Sequence, residues 1–353
     1  MILVTGGAGF IGSNFILDWC RSSDEQVINI DKLTYAGNLM NLSSLKDSPQ
    51  HEFFNVEIGN SNQVSKILKK YKPRAVINFA AESHVDRSIH GPRDFIYTNI
   101  IGTYELLEAV NSYWANLQDS QKADFKFMHI STDEVYGSLL PEDSSFTEKN
   151  QYKPNSPYSA SKASSDHLVR AFNKTYQLPT ITTNCSNNYG PFQFPEKLIP
   201  LTINNIMHNK KIPVYGDGMQ VRDWLYVNDH CDALRLILSD GSIGEIYNIG
   251  GLNEKTNIDV ITMICNRMDD IQFKKDIPSI NLIQHVKDRA GHDTRYSIDI
   301  SKVSKTLDWK PKETFESGID KTIKWYLDNQ NWVDSVSTGE YVKWMKKNYS
   351  ELL

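Results

Sequence analysis

The sequence predicts an α/β protein in which a doubly wound, mostly parallel sheet precedes a smaller C-terminal α/β lobe. Three observations predict this fold class. Short apolar segments alternate with helical segments through the first half of the chain, a glycine-rich turn follows the first apolar segment, and the alternation loosens after about residue 184. Strands that alternate with helices at this spacing become parallel through right-handed crossovers. Their C-terminal ends therefore meet at one sheet edge, where such folds bind ligands.

The elements of the sheet domain can be assigned in chain order. Short segments rich in β-branched and aromatic residues predict buried strands, and the segments between them have helical periodicity. The predicted strands are Ile2–Thr5, Val27–Asp31, Phe53–Ile58, Ala75–Ala81, Phe125–Ser131 and Thr180–Asn184. The predicted helices are Gly12–Arg21, Val64–Tyr71, Phe95–Trp114 and Pro157–Tyr176.

The second half predicts a smaller lobe in which short strands and helices are mixed. We expect residues 1–183 to form the first domain and residues 184–353 to form mainly the second lobe, with a return to the sheet around 224–251. The polar segment 137–156 carries two prolines and could be a lid or a surface connection, of which we prefer the second. The predicted elements of the lobe are helices Leu198–His208, Asp229–Leu238 and Ile258–Met268, and strands Ile212–Tyr215, Trp224–Val227 and Glu245–Ile249.

Composition excludes several classes of protein. A net charge of −5, from 38 basic and 43 acidic residues, argues against a nucleic-acid binder. No apolar run approaches the ~18 residues of a membrane span, and a strand at Ile2 leaves no room for a signal peptide, so we expect a cytoplasmic protein. Four widely separated cysteines predict neither a metal site nor disulfides, and three of them, Cys20, Cys231 and Cys265, are expected to be buried thiols in helices.

A glycine motif at the N-terminus predicts a Rossmann-type dinucleotide site. Gly6, Gly9 and Gly12 lie between the first strand and the first helix. They allow a tight turn, close approach of the backbone to a pyrophosphate, and packing of the helix on the strand. Asp31 ends the second strand, where its carboxylate would bind ribose hydroxyls and repel a 2′-phosphate, so NAD is favoured over NADP. The backbone at Ala80 and Ala81 should border the cofactor ribose and nicotinamide.

Tyr158 and Lys162 form a Tyr-x-x-x-Lys pair on one face of a predicted helix. An ammonium group near a phenol favours the phenolate, so we expect Lys162 to lower the pKa of Tyr158 from its usual ~10. Tyr158 would then be a general base for a hydroxyl group during hydride transfer, and Lys162 could also hold the nicotinamide ribose.

Thr132, Asp133 and Glu134 follow the fifth predicted strand. At a strand terminus both carboxyl groups can reach one pocket, and two carboxyls in different environments can divide into an acid and a base. Plain oxidation does not need such a pair, whereas elimination of water does. A capping or turn cluster explains the same residues about equally well.

These motifs resemble the nucleoside-diphosphate-sugar 4,6-dehydratases of the extended short-chain dehydrogenase/reductase superfamily. The resemblance covers nearly the whole chain and is strongest to members that act on dTDP-glucose in rhamnose biosynthesis. The segments STDEVYG and NNYGP…PEKLIP are more specific than the glycine motif. The segments that carry the resemblance are 5–14, 31–38, 80–89, 131–137, 157–171, 183–201, 221–230, 247–251 and 288–296, together with the C-terminal part from Thr314 to Leu353, expected to form helices of the smaller lobe.

The resemblance implies dehydration of dTDP-glucose to dTDP-4-keto-6-deoxyglucose by a lyase that uses bound NAD. Tyr158 would take the 4-hydroxyl proton, oriented by Thr132, while hydride passes from C4 to NAD. Glu134 would then take the C5 proton, and Asp133 would protonate the departing C6 hydroxyl, before hydride returns to C6. Lys162 completes the implied catalytic set.

The resemblance also implies binding residues and an assembly. Members commonly dimerise through two helices each, here Phe95–Trp114 and Pro157–Tyr176, in a four-helix bundle. Glu57 stands where the family usually has Asp. The implied cofactor-binding residues are Gly6, Gly9, Phe10, Ile11, Gly12, Asp31, Lys32, Thr34, Glu57, Ile58, Ala80, Ala81, Ser83, Thr98, Tyr158, Lys162 and Asn188. The implied substrate-binding residues are Ser83, Thr132, Asn187, Lys197, Leu198, Pro213, Tyr215, Arg222, Asn257, Arg289 and His292, with Arg222 and Arg289 as diphosphate clamps.

Other activities fit part of the same pattern. UDP- or CDP-glucose would be handled by the same chemistry, because no residue identifies the base. A sugar-nucleotide 4-epimerase shares the cofactor site, Tyr158 and Lys162, but does not need Asp133 and Glu134. A catalytically silent NAD-binding protein would be expected to lack Tyr158 or Lys162.

Overall fold

The computed structural model describes residues 1–271, 277–289 and 291–337. The C-terminal segment predicted from Thr314 onward is therefore described only as far as residue 337. Within these residues the strands are β1 (Ile2–Thr5), β2 (Val27–Asp31), β3 (His51–Asn55), β4 (Ala75–Asn78), β5 (Lys126–Thr132), β6 (Thr180–Cys185), β7 (Asn187–Tyr189), β8 (Ile212–Tyr215), β9 (Val221–Tyr226), β10 (Ile246–Ile249), β11 (Glu254–Thr256) and β12 (Ile283–Val286).

Helices join and cover these strands. Two short 3₁₀ segments, Leu39–Leu45 and Asp133–Tyr136, border the ligand-binding edge, and another spans Ser279–Leu282. The α-helices are α1 (Phe10–Ser22), α2 (Ser61–Tyr71), α3 (Val85–His90), α4 (Pro92–Phe95), α5 (Thr103–Ala115), α6 (Asp119–Asp124), α7 (Pro157–Tyr176), α8 (Leu198–Met207), α9 (Val227–Asp240), α10 (Asn257–Ile271), α11 (Ser301–Leu307), α12 (Phe315–Asp328) and α13 (Gln330–Val336).

The main sheet has seven parallel strands in the order β10-β6-β5-β4-β1-β2-β3. Chain order reverses between β1 and β4, which is the switch point where a doubly wound sheet opens a crevice for ligands. The chain returns from the second half to add β10 beside β6. This doubly wound parallel architecture is the fold class that the sequence predicts.

Alternation along each strand explains why helices cover both faces of the sheet. Ile2 and Val4 pack with α1 and α9, whereas Leu3 packs on the opposite face with α2, α5 and α7. Successive side chains of a strand point to opposite faces, so a strand buried on both sides reads as a continuous apolar run. The apolar runs in the sequence are therefore strands of a parallel sheet.

The second lobe has its own core and two small sheets. Strand β9 pairs with β7 in parallel and with β11 antiparallel, and β8 pairs with β12. Its core contains Tyr189, Trp224 and Phe315 together with apolar residues of α8, α10 and α12. This lobe faces the C-terminal edge of the large sheet, and the two together enclose the pockets described below.

Several predicted boundaries differ from the observed ones. The fourth strand ends at Asn78 rather than Ala81, because Ala80 N–H leaves the ladder and donates to the Thr5 hydroxyl. The third strand spans His51–Asn55 instead of residues 53–58. The predicted helix Phe95–Trp114 begins at Pro92 and contains a π-helical stretch, Ile96–Gly102. Such stretches concentrate at functional sites.

The interpretation of segment 137–156 as a surface connection is wrong for part of its length. Leu139 and Phe146 are buried, and Phe146 pairs with Ile298 in a parallel bridge. Its carbonyl also accepts a hydrogen bond from Asn248 Nδ2 at 3.0 Å. The apolar side chains in this otherwise polar segment attach it to the second half of the chain.

All four cysteines are free, but Cys20 is only partly buried, which corrects the expectation that it is a buried thiol. Its neighbours on α1 alternate between the core and the surface, and Cys20 lies at the margin of the core-facing stripe. Within residues 1–271, 277–289 and 291–337, no helix combines the length and apolarity that crossing a membrane requires.

Candidate active site

Two adjoining pockets open at the C-terminal edge of the large sheet, facing the second lobe. The first runs from the glycine turn across the ends of β1, β2, β4 and β5 to the start of α7. The second lies between α3 and the elements of the second lobe. Residues shared by the walls of both pockets include Glu134, Asn187, Asn188 and Lys197. A molecule in the first pocket would therefore meet a molecule in the second.

The glycine turn fits the phosphates of a dinucleotide because its backbone leaves no room for side chains. Gly6 has φ of +68°, and a Cβ there would lie 2.6 Å from the nitrogen of Ala80. A Cβ on Gly12 would lie 2.4 Å from the carbonyl oxygen of Gly6. Helix α1 begins at Phe10 with Gly9 as a cap that makes no side-chain hydrogen bond. Its N-terminal amides thus remain available to an anion in the pocket.

Asp31 is held rigidly at the end of β2. Its two carboxylate oxygens accept hydrogen bonds from Ala8 N–H at 3.0 Å and Leu33 N–H at 2.8 Å. Burial raises the pKa of Asp31, and these two hydrogen bonds oppose that effect. Each oxygen retains acceptor capacity, so the carboxylate can also bind ribose hydroxyls.

The remaining residues predicted to bind a cofactor lie in the same pocket. Lys32 Nζ donates to the Thr98 hydroxyl at 3.0 Å and pairs with Glu57 at 3.4 Å. These contacts connect the end of β2 with the loop after β3 and with the π-helical stretch. The residues that line this pocket include Gly6, Gly9, Phe10, Ile11, Gly12, Asp31, Lys32, Thr34, Glu57, Ile58, Ala80, Ala81, Ser83, Thr98, Tyr158, Lys162 and Asn188.

Tyr158 and Lys162 enter this pocket from the first turns of α7. Ser156 caps the helix with a reciprocal capping box to Ser159, which fixes where the helix begins. Tyr158 is buried, and Phe95 packs edge-on against its ring at 6.3 Å. The ammonium group of Lys162 donates to the carbonyl oxygen of Ile130 at 2.8 Å. The structure thus brings the two predicted residues into one pocket.

The expectation that Lys162 lowers the pKa of Tyr158 is wrong for this structure. Burial raises the pKa of Tyr158 well above its usual value, and the charge of Glu134 raises it further. A hydrogen bond from Thr132 favours the phenolate but does not overcome these effects. Lys162 is directed to the Ile130 carbonyl and to His129 rather than to the phenol.

Residues 132–134 form the capped start of a short 3₁₀ turn and also line the first pocket. Thr132 ends β5 and accepts a hydrogen bond from Glu134 N–H at 3.3 Å, which starts the short 3₁₀ turn. That turn releases the two carboxyl groups from the alternation of a strand, and both line the first pocket. Within residues 1–271, 277–289 and 291–337, Asp133 Oδ2 and Glu134 Oε2 are buried without a hydrogen-bond partner. Both oxygens are therefore free to act on a ligand.

The two carboxyl groups have different electrostatic surroundings. Burial raises the pKa of Asp133 well above its usual value, and the negative charge of Glu134 raises it further. Burial also raises the pKa of Glu134, but the positive charges of Arg289, Arg222 and Lys197 oppose this shift. More cations oppose the rise at Glu134 than at Asp133, so Asp133 is the better suited of the two to act as the acid and Glu134 as the base.

The second pocket carries three basic side chains, Lys197, Arg222 and Arg289, and contains most of the predicted substrate residues. Arg222 is buried over the Tyr296 ring at 4.3 Å and donates to the carbonyls of Val221 and Asp293. Arg289 pairs with Asp86 at 3.1 Å. Ser83 and Thr132 line the first pocket instead of the second. The predicted substrate residues that line the second pocket are Asn187, Lys197, Leu198, Pro213, Tyr215, Arg222, Asn257, Arg289 and His292.

Other wall residues were not singled out from the sequence. Glu196 lies between the two pockets and accepts a hydrogen bond from the Tyr35 hydroxyl at 3.0 Å. Cys185 lines the first pocket, and Asp86 lines the second and binds the Tyr215 hydroxyl at 3.1 Å. Each stands inside a segment that carries the family resemblance, and this proximity to the motifs is the signal that could have identified them.

Comparison with known proteins identifies the family. A family model described as GDP-mannose 4,6 dehydratase matches residues 3–322. The chain is 55% identical to a dTDP-glucose 4,6-dehydratase of Shigella flexneri over 356 residues, which covers 99% of this chain and 98% of that protein. It is also similar to a crystal structure of dTDP-glucose 4,6-dehydratase from Bacillus anthracis in complex with NAD, with a TM-score of 0.83 and 46% identity over 95% of this chain and 99% of that one.

A further solved structure leads to the same family. The dTDP-glucose 4,6-dehydratase DesIV of Streptomyces venezuelae, determined with NAD and TYD bound, gives a TM-score of 0.85 at 40% identity and covers 95% of this chain and 99% of that one. The pockets, the residues that line them and these similarities agree. The chain belongs to the dTDP-glucose 4,6-dehydratases within the sugar-nucleotide 4,6-dehydratase family.

Proposed function

We propose that this protein is an NAD-dependent hydro-lyase that converts dTDP-glucose to dTDP-4-keto-6-deoxyglucose. The observation that carries the proposal is the meeting of two chemical pairs at one pocket. Tyr158 and Lys162 suit the oxidation of a hydroxyl, and Asp133 and Glu134 suit the elimination of water. An epimerase would need only the first pair. The names of the relatives that match nearly the whole chain support the same activity.

The first pocket is the proposed NAD site. The glycine turn would hold the diphosphate at the N-terminus of α1, and Asp31 would bind the adenosine ribose. Lys162 and Tyr158 lie at the opposite end, where the nicotinamide ribose is expected. When bound, NAD supplies a hydride acceptor at C4 of the sugar and a hydride donor at C6, and its positive charge favours the phenolate of Tyr158.

Tyr158 and Thr132 would act on the 4-hydroxyl of the glucose. The Thr132 hydroxyl lies in hydrogen-bond reach of the Tyr158 oxygen, and its proton favours the phenolate when it is donated there instead of to Asp133 Oδ1. A phenolate there accepts the hydroxyl proton as C4 is oxidised. Burial raises the pKa of the phenol. The site therefore stabilises the protonated Tyr158 that forms when the phenolate accepts the hydroxyl proton.

Asp133 and Glu134 would eliminate water across C5 and C6. The ketone at C4 acidifies the hydrogen on C5, which an ionised Glu134 can remove as a proton and can return to C5 when C6 receives hydride. Asp133, kept protonated by burial and by the charge of Glu134, can protonate the leaving C6 hydroxyl. The Thr132 hydroxyl donates to Asp133 Oδ1 at 3.2 Å, which orients the acid and leaves Oδ2 toward the pocket.

The second pocket is the proposed site for the nucleoside diphosphate. Arg222, Arg289 and Lys197 bring three positive charges to its walls, which suits a diphosphate. The same charges oppose the rise in the pKa of Glu134, so the binding groups also tune the base. We propose thymidine as the nucleoside because the chain is 55% identical to an enzyme named for dTDP-glucose.

We also propose the domain division and the setting of the enzyme. Residues 1–183, with the return around 224–251, would form the NAD-binding domain, and the rest of 184–353 would form mainly the sugar-nucleotide lobe; the position of β10 in the large sheet supports this division. We propose a cytoplasmic location from the composition of the sequence, and a place in rhamnose biosynthesis from the family resemblance.

The proposed enzyme is a homodimer that forms a four-helix bundle. Apolar residues on the segment from Pro92 to Ala115 remain exposed in the single chain, among them Tyr97 at 56%, Ile96 at 47% and Ile101 at 45%. This segment packs along α7, so the two would form one face together. Large exposed apolar side chains that share one face are typical of an interface.

The first test is an incubation of the purified protein with dTDP-glucose and no added NAD. We expect a product that has lost one water by mass and shows the alkaline absorbance of a 4-keto-6-deoxy sugar. Glu134→Gln should lower kcat by about 10²–10⁴-fold, because the amide cannot take the C5 proton. UDP-glucose is tested in parallel.

The outcomes separate the alternatives. Conversion to a C4 epimer without loss of water would contradict the dehydratase and support an epimerase. Turnover of UDP-glucose alone would retain the mechanism but replace the nucleoside. An absence of any conversion of either sugar nucleotide would favour a protein that binds NAD without catalysis.

A further inference from the structure

We propose that Asp166 is a positioning residue whose negative charge, acting across the neutral imidazole of His129, keeps the ammonium group of Lys162 charged within the cofactor pocket. The inference rests on the proposed function, since it concerns how the catalytic lysine is maintained in a buried site. Neither Asp166 nor His129 lines either pocket. Their role must therefore be exerted through Lys162 rather than by contact with a ligand.

A continuous chain of buried polar groups runs beneath the pocket. Ala80 N–H donates to the Thr5 hydroxyl at 3.3 Å, and that hydroxyl donates to Asn78 Oδ1 at 2.6 Å. Asn78 Nδ2 then lies 3.1 Å from His129 Nδ1. Strand pairing aligns Thr5 with Asn78 and Asn78 with His129, so the sheet itself sets this row of side chains. The row begins at the pocket wall and ends below Lys162.

This chain determines the tautomer of His129. The Thr5 hydroxyl accepts from Ala80, so its own proton goes to Asn78 Oδ1, and the Asn78 amide nitrogen faces the imidazole. An amide nitrogen can only donate, which makes Nδ1 of His129 the acceptor and leaves the ring proton on Nε2. Burial lowers the pKa of His129 to about 4, and the charge of Lys162 contributes to this shift. The ring is therefore neutral in the working range of the enzyme.

The imidazole stands between the ammonium and a carboxylate. His129 Nε2 lies 3.4 Å from Lys162 Nζ and 3.3 Å from Asp166 Oδ1. Ser131 donates to Asp166 Oδ2 at 2.8 Å, and the Nε2–H of His129 faces Oδ1. Because His129 is neutral, the negative charge of Asp166 is not cancelled by the ring and acts on Lys162.

Lys162 needs this charge because it is buried. Burial lowers the pKa of Lys162, and Asp166 is the foremost group that opposes the shift. The charges of Asp166 from α7 and Cys185 from β6 act on Lys162, and His129 from β5 lies 3.4 Å from its ammonium group. Burial raises the pKa of the Cys185 thiol to about 12, so Cys185 is uncharged near neutral pH. Asp166 is then the anion that balances the lysine.

The consequence is a defined effect on pH dependence. An ammonium group is present below its pKa and is lost as the pH rises through it. Removing the charge of Asp166 lowers the pKa of Lys162, so oxidation at C4 should fail at a lower pH in the variant. An opposite charge close to a titratable group typically shifts the pKa of that group by about 1–2 units.

The experiment isolates the oxidation step in the Glu134→Gln background, where elimination is blocked. The rate at which dTDP-glucose generates the absorbance of reduced nicotinamide is measured against pH, with and without Asp166→Asn. We expect the alkaline limb to move to lower pH by about 1–2 units. A second readout is NAD retained per chain after gel filtration at neutral and alkaline pH, which should fall with pH more steeply in the Asp166 variant.

Matched controls separate positioning from folding. Asp229→Asn makes the same change at a buried carboxylate of α9 that accepts Glu313 N–H at 2.9 Å, and it should not move the alkaline limb of the pH profile. Asp166→Glu retains the negative charge, so the alkaline limb of the pH profile should stay where it is in the parent protein. If Asp166→Asn does not fold, Asp166→Ser carries the same expectation.

The proposal would be overturned if the folded Asp166 variant had a lower Tm but the same alkaline limb of the pH profile and the same NAD retention as its parent. Failure of the proposed function would be recognised separately, because the parent Glu134→Gln protein would then form no reduced nicotinamide with dTDP-glucose at any pH. NAD retention would still test Asp166 in that case.

Discussion

At the scale of the residue, two neighbouring carboxyl groups acquire different chemistry from their surroundings. Asp133 is buried next to the negative charge of Glu134, and its pKa is raised well above the usual value. Glu134 faces Arg222, Arg289 and Lys197, which oppose the rise in its own pKa. The division into acid and base thus depends on groups that lie far from both residues along the chain.

The raised pKa of Asp133 predicts a gain in stability when its charge is removed. A carboxyl whose pKa is higher in the folded state than in the unfolded state destabilises the fold once the pH exceeds the pKa of the unfolded state, because folding then opposes ionisation. Asp133→Asn should therefore raise Tm relative to the wild type at neutral pH, with a smaller difference near pH ~4. Thermal melts of both proteins across this range test it, and the variant should be strongly impaired in dehydration.

A Tm for Asp133→Asn that is equal to or below that of the wild type at neutral pH, with an unchanged difference at acid pH, would contradict this prediction. Such a result would mean that the Thr132 hydrogen bond to Asp133 Oδ1 stabilises the ionised form more than burial disfavours it.

At the scale of the element, the ends of strands and helices position the catalytic side chains. Strand β5 ends at Thr132 and a single 3₁₀ turn presents both carboxyl groups, while the capped start of α7 presents Tyr158 and Lys162. The π-helical stretch beside them directs Asn99 inward, where it bonds both Glu82 N–H and Glu82 C=O at 2.9 Å. Irregular backbone therefore supports the pocket on both sides of the catalytic helix.

The glycine turn predicts a sharp difference between two glycine substitutions. Gly12→Ala would place a methyl group 2.4 Å from the Gly6 carbonyl and displace α1 from the turn, so NAD content after purification should fall at least tenfold. Gly91→Ala is the matched control, because a Cβ there meets its nearest neighbour only at 3.8 Å. NAD released by acid from each purified protein measures the effect.

Loss of NAD from both glycine variants, or from neither, would argue against a specific role for the close packing at Gly12. Circular dichroism of Gly12→Ala distinguishes local displacement of α1 from general unfolding.

At the scale of the whole molecule, two lobes close one active site. The large sheet contributes the cofactor pocket and both catalytic pairs, while the second lobe contributes the cationic wall that faces Glu134. The exposed apolar side chains of the segment beside α7 lie away from these pockets and are available to a second copy. The proposed dimer would therefore leave both pockets open.

The proposed dimer predicts that a charge at its centre yields a monomer. Tyr97→Asp places a carboxylate at a side chain that is 56% exposed in the single chain, and desolvation of that charge would oppose association. Light scattering after gel filtration should give half the wild-type mass. Ile243→Asp is the control, since Ile243 is also exposed, at 44%, but lies between α9 and β10, away from the proposed interface. An unchanged mass for Tyr97→Asp would contradict this interface.

The sequence alone determined the fold class and most of the candidate site. Parallel strands, the glycine turn, Asp31, Tyr158 and Lys162 are local patterns, because buried strands are apolar on both faces and glycine spacing follows from the geometry of one turn. The same local information placed most strand boundaries within a few residues. The family resemblance supplied many of the residues that line the two pockets but not Asp86, Cys185 or Glu196.

Only the tertiary structure decided the charges and the supporting contacts. The pKa of Tyr158, expected to fall, is raised, because burial and the charge of Glu134 outweigh the hydrogen bond from Thr132. The attachment of segment 137–156 and the row from Thr5 to His129 likewise depend on residues brought together from distant parts of the chain. Burial and charge are sums over neighbours in space, and a sequence lists neighbours only along the chain.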